Sequence, residues 1–547
     1  MSACGFEQLD AATGARRRWG FWAGLTAVTL GVLLHLPMFV RARTHHYVLR
    51  GMGFDPWMAV GMALILAGYA LVLYGLLPRY PGGTRNDADA APQLTALDAA
   101  PLGRAHVRLM LVLVAAIAVD TQKPFTFTFI LPGVASEYGL SSPAHPAPGQ
   151  WPVALLPLFG ILGTVLGSLV WGQLGDRIGR RAAILLAGTM FIGTAMCGSM
   201  PAYWQNIAAC FVMGLGAGGL LPIAYSLLTE MIPARRRGEI VVLVGGVGTA
   251  LGFLLASWSA KWLMPTFGWR IMWWLGLPTG LVVLLLNRYV PESPRFLLAT
   301  GRAAEARAVM RSFGIVTAKE TAGDEAPQHA PEPATGPVRL FRAPYTGITI
   351  ALAGYGLAWG LVNFGFLVWM PLHVAKSGIG TGEVTAILAK AALFSIPGSL
   401  LVSWLYGRRS SKGTLIGAAS LEAAVLAAFA ARGDAIVRHT SVFTALVVVL
   451  LVSMWATISV LGPYSAEVYP TRARSAGAGI AAGASKLGGV FALAIAVASV
   501  APPSLAGAAL LGAVPAALAG LGLVVVGIET SRRPLEEISQ AAVADAR

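Results

Sequence analysis

Long apolar runs alternate along the whole chain with short connections in which arginine dominates. With about 20 apolar residues needed to cross a bilayer, the first half predicts core helices at 107–131, 152–174, 182–200, 204–229, 239–263 and 271–290. The second half predicts 346–372, 383–406, 413–431, 440–464, 475–499 and 505–528. Two more spans precede these, from Trp19 to Val40 and from Trp57 to Leu77. The run after Arg16, Arg17 and Arg18 is too long for a cleaved signal and is expected to stay as one arm of a hairpin. The expectation is an all-α polytopic membrane protein of about 14 transmembrane helices. Its parts are a hairpin in 1–80, a linker in 81–104, a six-helix bundle in 105–290, a cytoplasmic linker in 291–342, a second six-helix bundle in 343–530 and a tail in 531–547.

The two halves repeat one element. Glu230-x-x-Pro233-x-x-x-Arg237 follows the fourth core span, and Glu467-x-x-Pro470-x-x-x-Arg474 follows the tenth. Each glutamate lies where an apolar run meets arginines, so it sits near a membrane surface and can pair with a guanidinium. Duplication of this kind belongs to transporters built from two similar bundles.

Composition agrees: 56% of residues are hydrophobic and 12% charged, with a mean hydropathy of +0.68, too few polar side chains to clothe a soluble surface. The formal net charge of +15 does not point to nucleic acid, because the basic residues gather between the spans. Arg177/Arg180/Arg181, Arg235/Arg236/Arg237, Arg295/Arg302/Arg307/Arg311, Arg408/Arg409/Lys412, Arg472/Arg474 and Arg532/Arg533 all fall on one side, whereas 141–150, 201–206 and 501–504 contain no Lys or Arg. The basic side, with both termini, is expected in the cytoplasm of a plasma or bacterial inner membrane. One connection disagrees, since Arg41, Arg43, His45, His46 and Arg50 join the hairpin spans on the other side. Either the hairpin stops short, or this loop anchors at lipid headgroups or attracts anions. Cys4, Cys197 and Cys210 have neither metal nor disulfide spacing, and no metal or cofactor is expected.

After the second core span comes Trp171-Gly-Gln-Leu-Gly-Asp176-Arg-Ile-Gly-Arg-Arg181. Its glycines permit a tight turn, and Asp176 can cap the next helix or pair with arginine. The string resembles the signature that the major facilitator superfamily carries between helices 2 and 3, and the resemblance covers about residues 105 to 530. It implies two six-helix bundles rocking around a central site. It also implies a conformational latch at Gly172, Asp176, Arg177, Gly179, Arg180 and Arg181, joined by Glu230, Arg237, Glu467 and Arg474. The second-half counterpart, Ser403 to Lys412, has Gly407 where the aspartate would stand, which implies an asymmetric latch. The run Pro291 to Arg302 looks like the linker motif of sugar porters, shared by the synaptic-vesicle-like and organic-ion branches. Against the proton-coupled pattern, Cys210 takes the helix-4 position where many members carry arginine. Gly163 and Gly167 are read as close-packing positions.

The first core span holds Asp120, Gln122 and Lys123 ahead of Pro124 and Pro132. Asp120 and Lys123 are three residues apart on one helix face, and the prolines suggest a locally broken helix whose carbonyls line a cavity. Charges are costly at this depth, so the pair is a candidate substrate and proton site, with a self-neutralising structural pair as the alternative. Only seven lysines stand against thirty-three arginines, yet Lys123, Lys390 and Lys486 all fall inside spans. Lys390 and Lys486 either join the site, snorkel, or pair with Glu422 or Glu467. Asn363, with Trp359, Phe364, Phe366 and Trp369 around it, is a candidate substrate wall.

The leading expectation is a monomeric secondary transporter coupling protons to a small organic anion by alternating access. A sugar or polyol facilitator is the alternative, and a non-transporting membrane receptor is the reading from another class. No nucleophile, base or nucleotide motif suggests an enzyme.

Overall fold

A computed structural model describes residues 3–53, 55–77, 101–142, 147–233, 236–314, 340–341, 345–375, 380–469, 474–498 and 504–531. Most of the expected linkers, the tail from 532 and the Pro233/Pro470-linked residues 234–235 and 470–473 lie outside them. The chain is helical throughout its spans. The hairpin is α1 (Ala3–Leu33) and α2 (Pro56–Leu76). The first bundle is α3 (Arg104–Tyr138), α4 (Leu155–Ile178), α5 (Arg180–Gly193), α6 (Tyr203–Ala217), α7 (Leu220–Met231), α8 (Arg237–Phe267) and α9 (Gly276–Leu286). The second is α10 (Thr346–Leu361), α11 (Thr381–Arg408), α12 (Ser411–Arg432), α13 (Thr440–Val468), α14 (Arg474–Val497) and α15 (Leu505–Val526). Among the described residues, 13 helical stretches are long and apolar enough to cross a membrane, and α4 adds the shorter apolar run Leu155–Ser168.

The expectation of a broken helix is corrected. The first core span does not break: α3 runs through both Pro124 and Pro132 and stops at Gly139, whose φ of 65° closes the helix. Inside a bundle, neighbouring helices absorb the lost backbone bond of a proline. The break falls in the fourth span, where Gly218 and Gly219 form a turn between α6 and α7. The seventh span also departs from regular geometry, since α10 passes into a π-helical segment, Val362–Leu367, before a last turn at Met370–Ala375.

Glycines set the hairpin's packing. A methyl group on Gly24 would lie 2.6 Å from the Gly68 carbonyl, and one on Gly31 would lie 2.6 Å from the Gly61 carbonyl. The two backbones therefore touch, as small-residue contacts allow in lipid. The hairpin docks on the first bundle through Tyr69, whose hydroxyl donates to the Met190 carbonyl at 3.4 Å, and Ser199, whose hydroxyl donates to the His35 carbonyl at 3.0 Å. Its turn reaches Glu137 near the far end of α3, so the hairpin does not stop short.

The bundles meet along α8 and α11, which run antiparallel. Ser403 Oγ donates to the Glu239 carbonyl at 2.9 Å near the arginine-rich end, and Trp258 Nε1 donates to the Ala389 carbonyl at 3.2 Å near the other.

Gly68→Ala would place its methyl 2.6 Å from Val28 Cγ2 and 2.8 Å from the Gly24 carbonyl. Such overpacking costs about 1–3 kcal/mol. Thermal unfolding of the detergent-purified variant should begin at a lower temperature than wild type, with ligand affinity at the distant bundle interface unchanged.

Candidate functional site

The turn at Gly218–Gly219 organises the centre of the molecule. Breaking a helix frees carbonyls before the break and amides after it, and in lipid each must find a partner. The Leu215 carbonyl accepts from Trp171 Nε1 at 2.7 Å, and the indole lies against Gly219, where any side chain would clash. The Gly218 carbonyl accepts from Lys486 Nζ at 3.4 Å, and the Thr164 carbonyl accepts from the same group at 3.5 Å. On the other side of the break, the Leu221 amide in the first turn of α7 faces the Asp120 carboxyl. The positive end of α7 thus points at an acid, and the freed carbonyl points at a base.

Lys486 belongs to α14 of the second bundle, whereas Asp120, Thr164 and Gly218 belong to the first. The strongest charge acting on Asp120 is Lys486, ahead of Lys123. Lys486 thus acts on Asp120 across the interface through its field, with no direct ion pair between them, while Glu422 accepts from Thr457. Asp120 is 4% exposed and its Oδ1 has no hydrogen-bond partner. Tyr225 of α7 also interacts with Asp120. Its ring reaches Gly462 of α13 and its hydroxyl abuts Gly245 of α8. The sequence reading did not include Tyr225, because a tyrosine on an apolar run carries no signal of its own.

Lys123 takes a different place from the one expected. It forms no ion pair with Asp120; its Nζ instead donates to Thr279 Oγ1 at 3.3 Å on α9, inside the first bundle. Lys390 does not join the centre either. It is exposed on α11, on the helical stripe shared with Leu393, Phe394 and Leu401, which fits the snorkelling alternative.

Beside the charges lies an aromatic cluster spanning both bundles. Trp455 of α13 packs against Phe253 of α8, with ring centroids 5.0 Å apart, and against Phe125 of α3 at 6.2 Å; Phe125 and Phe253 are 5.1 Å apart. Gly252 brings α8 onto α3 at Thr121 and Gln122, which sets the cluster at the level of Gln122. Buried Gln122 Oε1 and Trp455 Nε1 at this level have no hydrogen-bond partner, nor, in the π segment and its flanks on the second bundle, have Asn363 Oδ1, Trp359 Nε1 and Trp369 Nε1. Unpaired polar groups are costly in a buried site unless a ligand completes them. Of the expected wall, Phe366 packs against Phe429 at 5.2 Å and Trp359 against Phe364 at 6.2 Å, both within the second bundle. Gly163 and Gly167 are packing positions, where a methyl group would collide with the Phe211 and Leu215 carbonyls.

At the arginine-rich end, Arg180 Nη2 pairs with Glu230 Oε1 at 3.0 Å, joining the motif to the first copy of the repeated element. Glu292 was not singled out from the sequence, yet its Oε1 accepts from the Arg180 amide at 2.7 Å. Both its oxygens also lie within reach of the Arg181 amide. Burial pushes the Glu292 carboxyl up, against the pull of these amides and of Arg180. Gly179, at φ 95°, leaves room for that carboxylate. Arg237 Nε donates to the Ile232 carbonyl at 3.3 Å, and Arg177 is exposed. Gly172 and Asp176 lie on α4 and Arg474 opens α14; the Asp176 and Arg474 side chains are outside the described set. In the second half, Glu467 accepts from Tyr406 at 2.7 Å and from Thr530 at 2.6 Å, and Glu529 accepts from the Ser411 amide at 2.8 Å.

The chain is similar to the niacin transporter NiaP of Acinetobacter baylyi, with 28% identity over 72% of this chain and 87% of that one. It is also similar to the 4-hydroxybenzoate transporter PcaK of the same organism, with 26% identity over 74% and 88%. Among solved structures, the proton:xylose symporter XylE of E. coli shares the fold at a TM-score of 0.61 and 18% identity, over 80% of this chain and 98% of that one. The profile described as Major Facilitator Superfamily matches residues 109–493. The chain belongs to the Major Facilitator Superfamily and is a multi-pass membrane transporter rather than an enzyme.

Proposed function

We propose that this protein is a proton-coupled symporter for a small aromatic carboxylate. It works as a monomer by alternating access in a plasma or bacterial inner membrane, with the arginine-rich end and both termini in the cytoplasm. The observation that carries the reading is a juxtaposition of charges across the interface: Lys486 of one bundle donates to the Gly218 carbonyl of the other and lies within the field of Asp120. The aromatic cluster beside it offers ring faces for stacking. Niacin and 4-hydroxybenzoate, named for two relatives, are both aromatic rings bearing a carboxylate.

The cycle follows from charge balance. An incoming carboxylate engages Lys486 and loosens its hold on Asp120, while the ring lies against Phe125, Phe253 and Trp455. Asn363 and Gln122 complete polar groups on the ring. Asp120, deprived of its counter-ion at membrane depth, takes up a proton. With both charges compensated, the bundles rock and the site opens to the other side. Lys123, turned towards α9, supports the first bundle rather than holding the substrate. The Arg180–Glu230–Glu292 cluster sets the balance between the two states.

Proteoliposomes should accumulate nicotinate or 4-hydroxybenzoate when a pH gradient is imposed, and should not take up xylose. Asp120→Asn should retain counterflow exchange and lose gradient-driven accumulation. Lys486→Ala should raise KM about tenfold or more, equivalent to about 1.4 kcal/mol, with a smaller effect from Lys123→Ala. Accumulation by Asp120→Asn at the wild-type ratio would sink the coupling scheme.

A separate measurement addresses the latch. Glu230→Gln removes a half-buried ion pair far from the centre, so turnover should fall several-fold while equilibrium binding of substrate stays within about twofold. A large affinity loss with normal turnover would remove the latch assignment.

A further inference from the structure

The hairpin turn is held in place with more contacts than a connection needs. The Leu49 and Arg50 amides donate to Glu137 Oε1 at 2.9 and 3.2 Å, and the Arg50 guanidinium donates to the Glu137 carbonyl at 3.1 Å. Glu137 is itself fixed by the buried Arg270 at 2.7 Å and by Trp269 Nε1 at 2.8 Å. The Tyr47 ring packs between Phe39 and Phe267, and Arg41 pairs with Asp55 at 2.9 Å. His46 and Tyr47, at φ 52° and 61°, occupy backbone conformations that such residues adopt only when the surroundings impose them. This framework presents Arg43, His45 and His46 exposed at the tip.

The turn stands on two helices that line the central site. Glu137 belongs to α3, which carries Asp120 and Phe125, and Phe267 ends α8, which carries Phe253. The turn carries three arginines, Arg41, Arg43 and Arg50, against Asp55, which pairs with Arg41, and against Glu137 of α3, which pairs with the buried Arg270, at the end opposite the arginine-rich face. A lipid anchor would need no fixed backbone, whereas a surface that guides a ligand to a mouth gains from one.

We propose that the tip formed by Arg43, His45 and His46 is an anion-collecting surface. It raises the local concentration of carboxylates at the outer mouth and so favours loading of the site below. The inference rests on the anionic-substrate reading for its benefit to transport, but not for the charge preference of the surface itself. Attraction of this kind acts on encounter rather than on turnover, and it fades when salt shortens the screening distance to about 10 Å at 0.1 M.

The first arm needs no substrate. Thr44→Cys, in the full-length protein in phosphatidylcholine vesicles, is reacted with a sulfonate-bearing and a trimethylammonium-bearing methanethiosulfonate reagent. The ratio of anionic to cationic rates should be several-fold higher than in the same cysteine variant carrying Arg43→Gln, His45→Gln and His46→Gln, and the difference should vanish at high salt. Equal ratios overturn the proposal. The second arm measures uptake of nicotinate and 4-hydroxybenzoate. The triple glutamine variant should show a KM raised several-fold at low ionic strength, with unchanged turnover and convergence on wild type at high salt. An effect seen only when phosphatidylglycerol is present would make a lipid headgroup the occupant and overturn the proposal, as would an unchanged KM. If the wild type takes up neither compound while the thiol arm keeps its charge preference, the transport reading fails and the surface stands.

Discussion

Everything at the centre of this transporter depends on one constraint: in a bilayer, backbone groups released from a helix must be satisfied by the protein. The Gly218–Gly219 turn releases them at mid-membrane, and three side chains from three different helices respond. Trp171 of α4 takes the Leu215 carbonyl, Lys486 of α14 takes the Gly218 carbonyl, and Asp120 of α3 meets the Leu221 amide. A break in one helix therefore fixes an acid and a base from opposite bundles within each other's field. The same arrangement ties the signature motif to the site, because Trp171 opens the motif and also props the break.

At the arginine-rich end the two halves solve one problem with different residues. Glu292, just after the last span of the first bundle, accepts from the amides that open α5, and Glu529, just after the last span of the second, accepts from the amide that opens α12. Each carboxylate lies at a helix N-terminus, where backbone amides lack partners and the dipole favours negative charge. The repeated glutamates have diverged further. Glu230 faces the guanidinium of Arg180, and among the described residues Glu467 accepts from the hydroxyls of Tyr406 and Thr530.

Much of this was legible in the sequence, for definable reasons. Span positions, the hairpin and a guanidinium partner for Glu230 follow from hydropathy and from the cost of placing charge near lipid, although the sequence did not say which arginine it would be. Asp120 and Lys486 stand out because charge inside a span is rare. Their partnership was not legible, since Lys486 lies on a helix of the other bundle and spacing along the chain says nothing about contacts across an interface. Lys123, three residues from Asp120, looked the nearer partner, but its long side chain extends to Thr279 instead. The prolines of α3 were misleading for a related reason: proline removes a backbone bond, but whether the helix breaks depends on neighbours that the sequence does not display. Gly218 and Gly219 of the fourth span were visible in the sequence but were not singled out, because paired glycines within an apolar run also serve close packing.

Gly407 shows how such a gap in a motif acquires meaning. Its position lacks the aspartate that the first half carries, and a Cβ there would lie 3.0 Å from Glu239 Cβ of α8 and 3.5 Å from its carboxyl carbon. An acid at Gly407 would therefore meet a second acid from the opposite bundle, and like charges so close disfavour contact. The glycine makes room for the start of α8, whose Glu239 carbonyl Ser403 then binds at 2.9 Å. Gly238, one residue earlier, leaves space in the same way against Glu467. The departure of the second motif is thus a consequence of how the bundles meet: its glycine admits an acid from the other bundle.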